Sequence, residues 1–246
     1  MEDGVALCAR FSIATNRLQY CGPRDAEPAL YRAITEHTEL DRARDALRRF
    51  EALNPYLEAI AEKHRLDPFD ARVVEAYWVG NDLLDAFDRA DFPPLLDRLV
   101  RRGLPRSTAD RLLKWLPDRA IPHHVFHVAF VGVGEVTGHV ETTLANIEAC
   151  RSAAARVTAV DGRTIRLRGL VLGVADGRLT LERETERALP FDPAILPGMS
   201  VGDSVAIHWS HPALVLSSTQ VASLEKYTRW SIDAANEALP KLRALG

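Results

Sequence analysis

The chain has little of what usually makes a function easy to read. Its three cysteines, Cys8, Cys21 and Cys150, are an odd number at wide spacing, which excludes a disulfide framework and predicts free thiols. Long apolar runs are missing: none approaches the roughly 20 residues that span a bilayer. The opening Met1-Glu2-Asp3-Gly4 is acidic where a secretion signal is basic. The expected location is therefore the cytoplasm, away from membranes. An excess of positive charge is also missing. Lys+Arg number 31 against Asp+Glu 34, a net charge of -3, so no basic surface is expected and nucleic acid is excluded as a partner. Gly132, Gly134 and Gly138 have the wrong spacing for a dinucleotide loop, and no Gly-x-Ser-x-Gly elbow of a serine hydrolase occurs.

What is present is an ordinary globular composition, with 47% hydrophobic and 26% charged residues, enough to bury a full core. From Pro28 to about Pro117 the pattern is helical. Leu30, Ile34, Leu40, Ala43, Leu47 and Phe50 recur at helical steps, and Val73, Val74, Tyr77, Trp78, Leu83, Leu84 and Phe87 form a second apolar set. Beyond Arg151 the period falls to two. Short runs such as Thr164 to Leu167, Leu170 to Val174 and Leu179 to Arg183 are separated by Asp161-Gly162 and Asp176-Gly177, dipeptides suited to hairpin turns. A closing strand is expected at Ser204 to Trp209, and a final helix from Val221 to Leu239, capped by Ser217, Ser218 or Thr219. The fold class that follows is α+β: an α-helical domain over 1–150, with a His-rich segment at 122–131, then a small β-barrel plus C-terminal helix over 151–246.

The His-rich segment carries the first candidate site. His123 and His127 are four apart and share a face whether the segment is a strand, as its β-branched and aromatic residues suggest, or a helix. Two imidazoles on one face can bind a transition metal. Val125-Phe126 stand where the zinc-protease helix motif requires glutamate, so metal-dependent peptide hydrolysis is not expected. His124 projects elsewhere in a strand. A helix is expected from His139 to Cys150, and Glu135 and Glu141 flank His139, where carboxylates could orient an imidazole or complete a site. Cys150 is a soft ligand at the junction of helix and barrel, and Cys21 lies in a Tyr-Cys-Gly-Pro turn.

In its order of cysteine, valine-rich strand, Asp-Gly turn, further strands and Gly202-Asp203-Ser204-Val205-Ala206-Ile207-His208, the last third of the chain resembles the HypC/HupF family of nickel-iron hydrogenase assembly chaperones. In that family a cysteine holds iron carrying cyanide and carbonyl ligands. The resemblance implies an OB-like barrel, makes Cys150 the matching cysteine and His208 the matching histidine, and implies a hydrogenase large subunit or maturation proteins as partners. The phrases Asn16-Arg17-Leu18-Gln19-Tyr20-Cys21-Gly22-Pro23, Glu75-Ala76-Tyr77-Trp78-Val79-Gly80-Asn81 and Pro122-His123-His124-Val125-Phe126-His127-Val128 look like a family without a settled activity, often encoded beside nickel-iron hydrogenase genes. The expected function is a metallocentre assembly or carrier protein. It would hold iron, or else nickel or zinc, through Cys150, His123, His127 and Cys21, with His124, His139, Glu135, Glu141 and His208 as supporting or alternative groups. Two other functions compete with it: a non-haem iron or zinc metalloenzyme using His123, His127 and a carboxylate, and a structural adaptor.

Overall fold

Asp3 caps the first helix by accepting hydrogen bonds from the Val5 and Ala6 amides at 2.8 and 3.2 Å. The computed structural model describes residues 3–243. Helix α1 (Gly4–Arg17) is followed by α2 (Glu27–Thr35), α3 (Leu40–Leu47), α4 (Leu53–His64) and α5 (Ala71–Trp78). Two short 3-10 turns lead to α6 (Phe92–Arg101) and α7 (Arg106–Lys114). Helix α1 has no counterpart among the expected elements. Val5, Leu7, Cys8, Phe11, Ile13, Ser12, Thr15 and Asn16 are all buried, so no polar stripe marks its period. It is the central helix of the body, packed against α2, α3 and α5.

The His-rich segment is helical. His123 caps α8 (His124–Phe126) with its own ring, Nδ1 accepting from the Val125 amide at 3.2 Å, and the helix runs on as a π-helical stretch over His127–Gly132. This corrects the expectation of a strand. Residues 121–133 are buried throughout, and a segment surrounded by core shows its apolar content without a period. The helix expected from His139 forms later, as α9 (Leu144–Cys150), where Thr143 caps it by accepting from the Asn146 amide.

Five antiparallel strands follow: β1 (Ala153–Asp161), β2 (Thr164–Ala175), β3 (Arg178–Pro190), β4 (Ser204–His208) and β5 (His211–Leu216), in the order β3-β2-β1-β4-β5. The sheet is open, which corrects the expected closed barrel. β3 and β5 lie at its two edges, and helices cover these edges in place of strand pairing. β5 packs on α1, and α10 (Ser218–Arg243) packs on β3. Asn236 of α10 accepts from the Leu179 amide and donates to the Leu179 carbonyl, both at 2.8 Å, as a neighbouring strand would. Ser217 caps α10 through the Gln220 amide.

Two apolar clusters result. The smaller lies within the sheet and its 191–203 connection, around Val157, Ile165, Leu167, Phe191, Leu196 and Val205. The larger runs through the helices and takes in Leu172, Leu179, Leu214, Leu216, Leu224 and Tyr227 from the later part of the chain. At Gly80, with φ 93°, an added Cβ would lie 2.1 Å from the Tyr227 ring. Only glycine lets α10 approach the end of α5 so closely.

Candidate metal centre

Four elements bring polar side chains to one buried point. Helix α5 ends in Tyr77-Trp78, α8 begins with His124, α9 ends in Cys150, and β4 ends in His208. Trp78 is the common wall. Its ring centroid lies 4.3 Å from that of His124 and 4.9 Å from that of His208, and Phe11 of α1 stacks on it at 4.8 Å. The Cys150 sulfur is 3.8 Å from Nε2 of His124 and 3.8 Å from Nε2 of His208. One ligand atom from each of His124, Cys150 and His208 falls within 4.8 Å of the others, and this is the one such group of three among the described residues.

The hydrogen bonds fix the imidazole tautomers. A carbonyl only accepts, so His208 donates from Nδ1 to the Phe11 carbonyl at 2.6 Å, leaving a lone pair on Nε2 directed at the sulfur. This is how ligand histidines are normally held. His124 differs. Its Nε2 donates to the Cys150 carbonyl at 2.7 Å, and Nδ1 accepts from the Tyr77 hydroxyl at 3.0 Å. Coordination through Nε2 would require that proton to move to Nδ1, with the Tyr77 oxygen then accepting. The second imidazole thus has a partner for either tautomer.

Burial decides the protonation states. It pushes His208 down to about 4, and holds His124 well below the usual histidine range, with the His208 and His127 imidazoles adding to the effect. Both rings are neutral and able to ligate at neutral pH. Burial also pushes the Cys150 thiol far up, while a hydrogen bond from the Trp209 side chain acts in the other direction. The sulfur therefore keeps its proton until a cation replaces it.

The arrangement fits a transition metal. Two imidazole nitrogens and a thiolate suit zinc, iron, nickel or copper. Tetrahedral coordination with ordinary bond lengths needs sulfur-to-nitrogen distances of about 3.6 Å, close to the two present. The trio borders a cavity of about 50 Å³, otherwise mostly apolar, that is also lined by Cys21, His127 and Trp209. A water needs roughly 10–15 Å³ of such space, so the cavity suits an ion with a few small ligands or a molecule of only a few heavy atoms.

The other candidates are placed differently. His127 lines the cavity, but its Nδ1 is bonded to the Tyr56 hydroxyl at 3.0 Å. His123 serves as the helix cap, with its ring 6.0 Å from that of Tyr227, and does not line the cavity. His123 and His127, expected as ligands together, are not part of the trio; His124, expected to project elsewhere, is the member of this segment in it. Helical geometry turns consecutive side chains by about 100°, which sends His123 and His124 to different neighbours. Cys21 lines the cavity outside the trio, in a turn where Asn16 donates to the Cys21 and Pro23 carbonyls. Glu135 accepts from Thr142 at 3.2 Å, while His139 and Glu141 are exposed. Sequence reasoning missed Tyr77, Trp78 and Trp209 as parts of the site. Their only signal was an aromatic residue beside each apolar run.

These features define an α+β protein with a buried His-Cys-His group able to hold a transition metal. The chain belongs to a family of unknown function, DUF6390, whose model matches residues 1–241. No curated protein and no solved structure matches it, and among the described residues no helix is long and apolar enough to cross a membrane.

Proposed function

We propose that the protein is a metal carrier or metallocentre-assembly factor that holds iron as cargo, and that it serves nickel-iron hydrogenase maturation. The observation carrying this reading is the meeting of Cys150 and His208 at 3.8 Å. These are the two residues that match the HypC/HupF cysteine and histidine, and 58 positions separate them in the chain. The cavity of about 50 Å³ accommodates a metal with small ligands and is well below the roughly 300 Å³ or more of an ordinary organic-ligand pocket, which favours a carrier. Ligand exchange is then the chemistry: Cys150 gives its proton to solvent when the metal arrives and recovers one when a partner's thiolates take the metal over. The partner in this reading is a hydrogenase large subunit or another maturation protein. The competing metalloenzyme built on His123, His127 and a carboxylate gains no support, since the trio contains none of these.

The test is elemental analysis of protein purified anaerobically without an affinity tag, together with infrared spectroscopy. Stoichiometric iron with bands of metal-bound carbonyl or cyanide is expected. Metal-free protein that also fails to take up iron(II), zinc(II) or cobalt(II) would overturn the carrier reading.

A further inference from the structure

A second cleft, of about 220 Å³, lies at the seam between the sheet and α10. Its charge arrangement is unfavourable as it stands. Arg156 of β1 is the direct cross-strand partner of Arg168 of β2, and like charges placed opposite each other destabilise a sheet. Arg168 is partly compensated by Glu186 on its other side, at 3.4 Å. The other neighbour of Arg156 is Ser204, which carries no charge. Helix α10 lays Arg229 across the same cleft. Neither Arg156 nor Arg229 has an ion-pair partner among the described residues. Arg151 forms a deeper wall, buried and held by Glu148 at 2.6 Å and by the Leu170 carbonyl. Glu184 and Glu225 also border the cleft, and with Arg151 and Arg168 paired to Glu148 and Glu186 the guanidinium groups there without an ion-pair partner are Arg156 and Arg229. Leu170, Leu181, Val221 and Leu224 give it an apolar side.

We propose that this cleft binds a small organic anion, with a carboxylate or phosphate head group between Arg156, Arg168 and Arg229 and an apolar body against the leucines. Guanidinium forks match both head groups in geometry. A bound anion would turn the Arg156–Arg168 repulsion into two attractions, which explains why the sheet tolerates the pair. The inference is independent of the metal centre.

Titration calorimetry on the full chain, with phenyl phosphate, benzoate and inorganic phosphate as probes, tests it. Saturable binding of phenyl phosphate or benzoate is expected, and the tighter of the two identifies the head group. Arg156→Ala and Arg229→Ala should each weaken binding by about tenfold or more, the effect of losing a charge-assisted hydrogen bond. Arg42→Ala, at an exposed residue beside Glu39 that does not line the cleft, should leave it unchanged. Without ligand, Arg156→Ala should melt at or above the temperature of the parent, since it removes a repulsive pair. Absence of saturable binding by all three probes, or full binding by both cleft variants, would overturn the site. Equal affinity for inorganic and phenyl phosphate would overturn the role of the apolar side.

Discussion

Cys150 is the residue on which the metal site turns, and its protonation gives a direct prediction. Because burial keeps the thiol protonated and the two imidazoles neutral, metal uptake should release one proton. Affinity for zinc(II) or cobalt(II) should therefore rise about tenfold per pH unit near neutrality, which competition titrations at several pH values would measure. Cys150→Ala should fold and lose the sulfur-to-cobalt charge-transfer band; a band that survives would place the ligand elsewhere. Tyr77→Phe removes the hydroxyl that bonds to Nδ1 of His124 and should lower metal affinity about 10–100-fold while retaining that band. The buried histidines also set an acid limit on the metal-free fold. His123 is pushed by burial to about 3 and His127 and His208 to about 4, against an ordinary value of 6.5. The unfolded chain takes up these protons first, so stability is complete above the ordinary value and is lost as pH falls towards 4. Each ring contributes a slope of up to about 1.4 kcal/mol per pH unit. Denaturant midpoints should thus drop steeply between about pH 6 and pH 4; a flat profile would mean that the rings are solvated.

The elements that hold these residues are short and are fixed from outside themselves. α9 has only seven residues, below the length that sustains an isolated helix. Its C-terminal end is held by Glu148, which accepts from Arg151 at 2.6 Å, from Arg187 at 3.1 Å and from the Leu172 amide at 2.9 Å. Glu148→Ala would leave the buried Arg151 guanidinium without its carboxylate, so a loss of about 3 kcal/mol is expected in denaturant titration, together with weaker metal binding as Cys150 loses its anchor. On the opposite side, the hairpin turn after His208 places Trp209 and Ser210 at φ 48° and 57°, a geometry that ordinarily selects Asn-Gly. Trp209 holds that turn in place: its amide donates to the Ala149 carbonyl at 2.6 Å, and its ring packs on Tyr20 at 4.7 Å. β1, β3, the Asp-Gly turns and the capped final helix were legible in the sequence, because each has a solvated side, whereas β5, buried on both faces, was not expected and the two runs at 164–167 and 170–174 form the one strand β2. α1 and the 123–131 segment were not legible, because core on all sides removes the period and leaves only propensity, which in the latter favours strand.

At the scale of the whole molecule the parts depend on one another. The larger core draws on α1 through α7 as well as β2, β4, β5 and α10. Gln220 and Asn81 both donate to Glu75, tying the start of α10 to α5. A truncation ending at Cys150 should therefore aggregate or remain unfolded, while the full chain melts in one transition; a soluble, cooperatively folding fragment would contradict a shared core. At this scale the change from helical to β pattern near residue 150 was legible in the sequence, and Cys150 and His208 were both among its candidates, the first as a ligand and the second as a supporting or alternative group. The sequence could not reveal that His124 would be their companion, because that depends on how the helices turn the segment against Trp78. The spread of the trio along the chain has a consequence for folding. Phe11, Tyr77, Trp78, His124, Cys150 and His208 meet only after β4 has paired with β1 through Ala153↔Ile207 and its neighbours. A chain in which β4 has not yet paired with β1 presents only separate ligands, so the three-ligand group exists only once the sheet has formed.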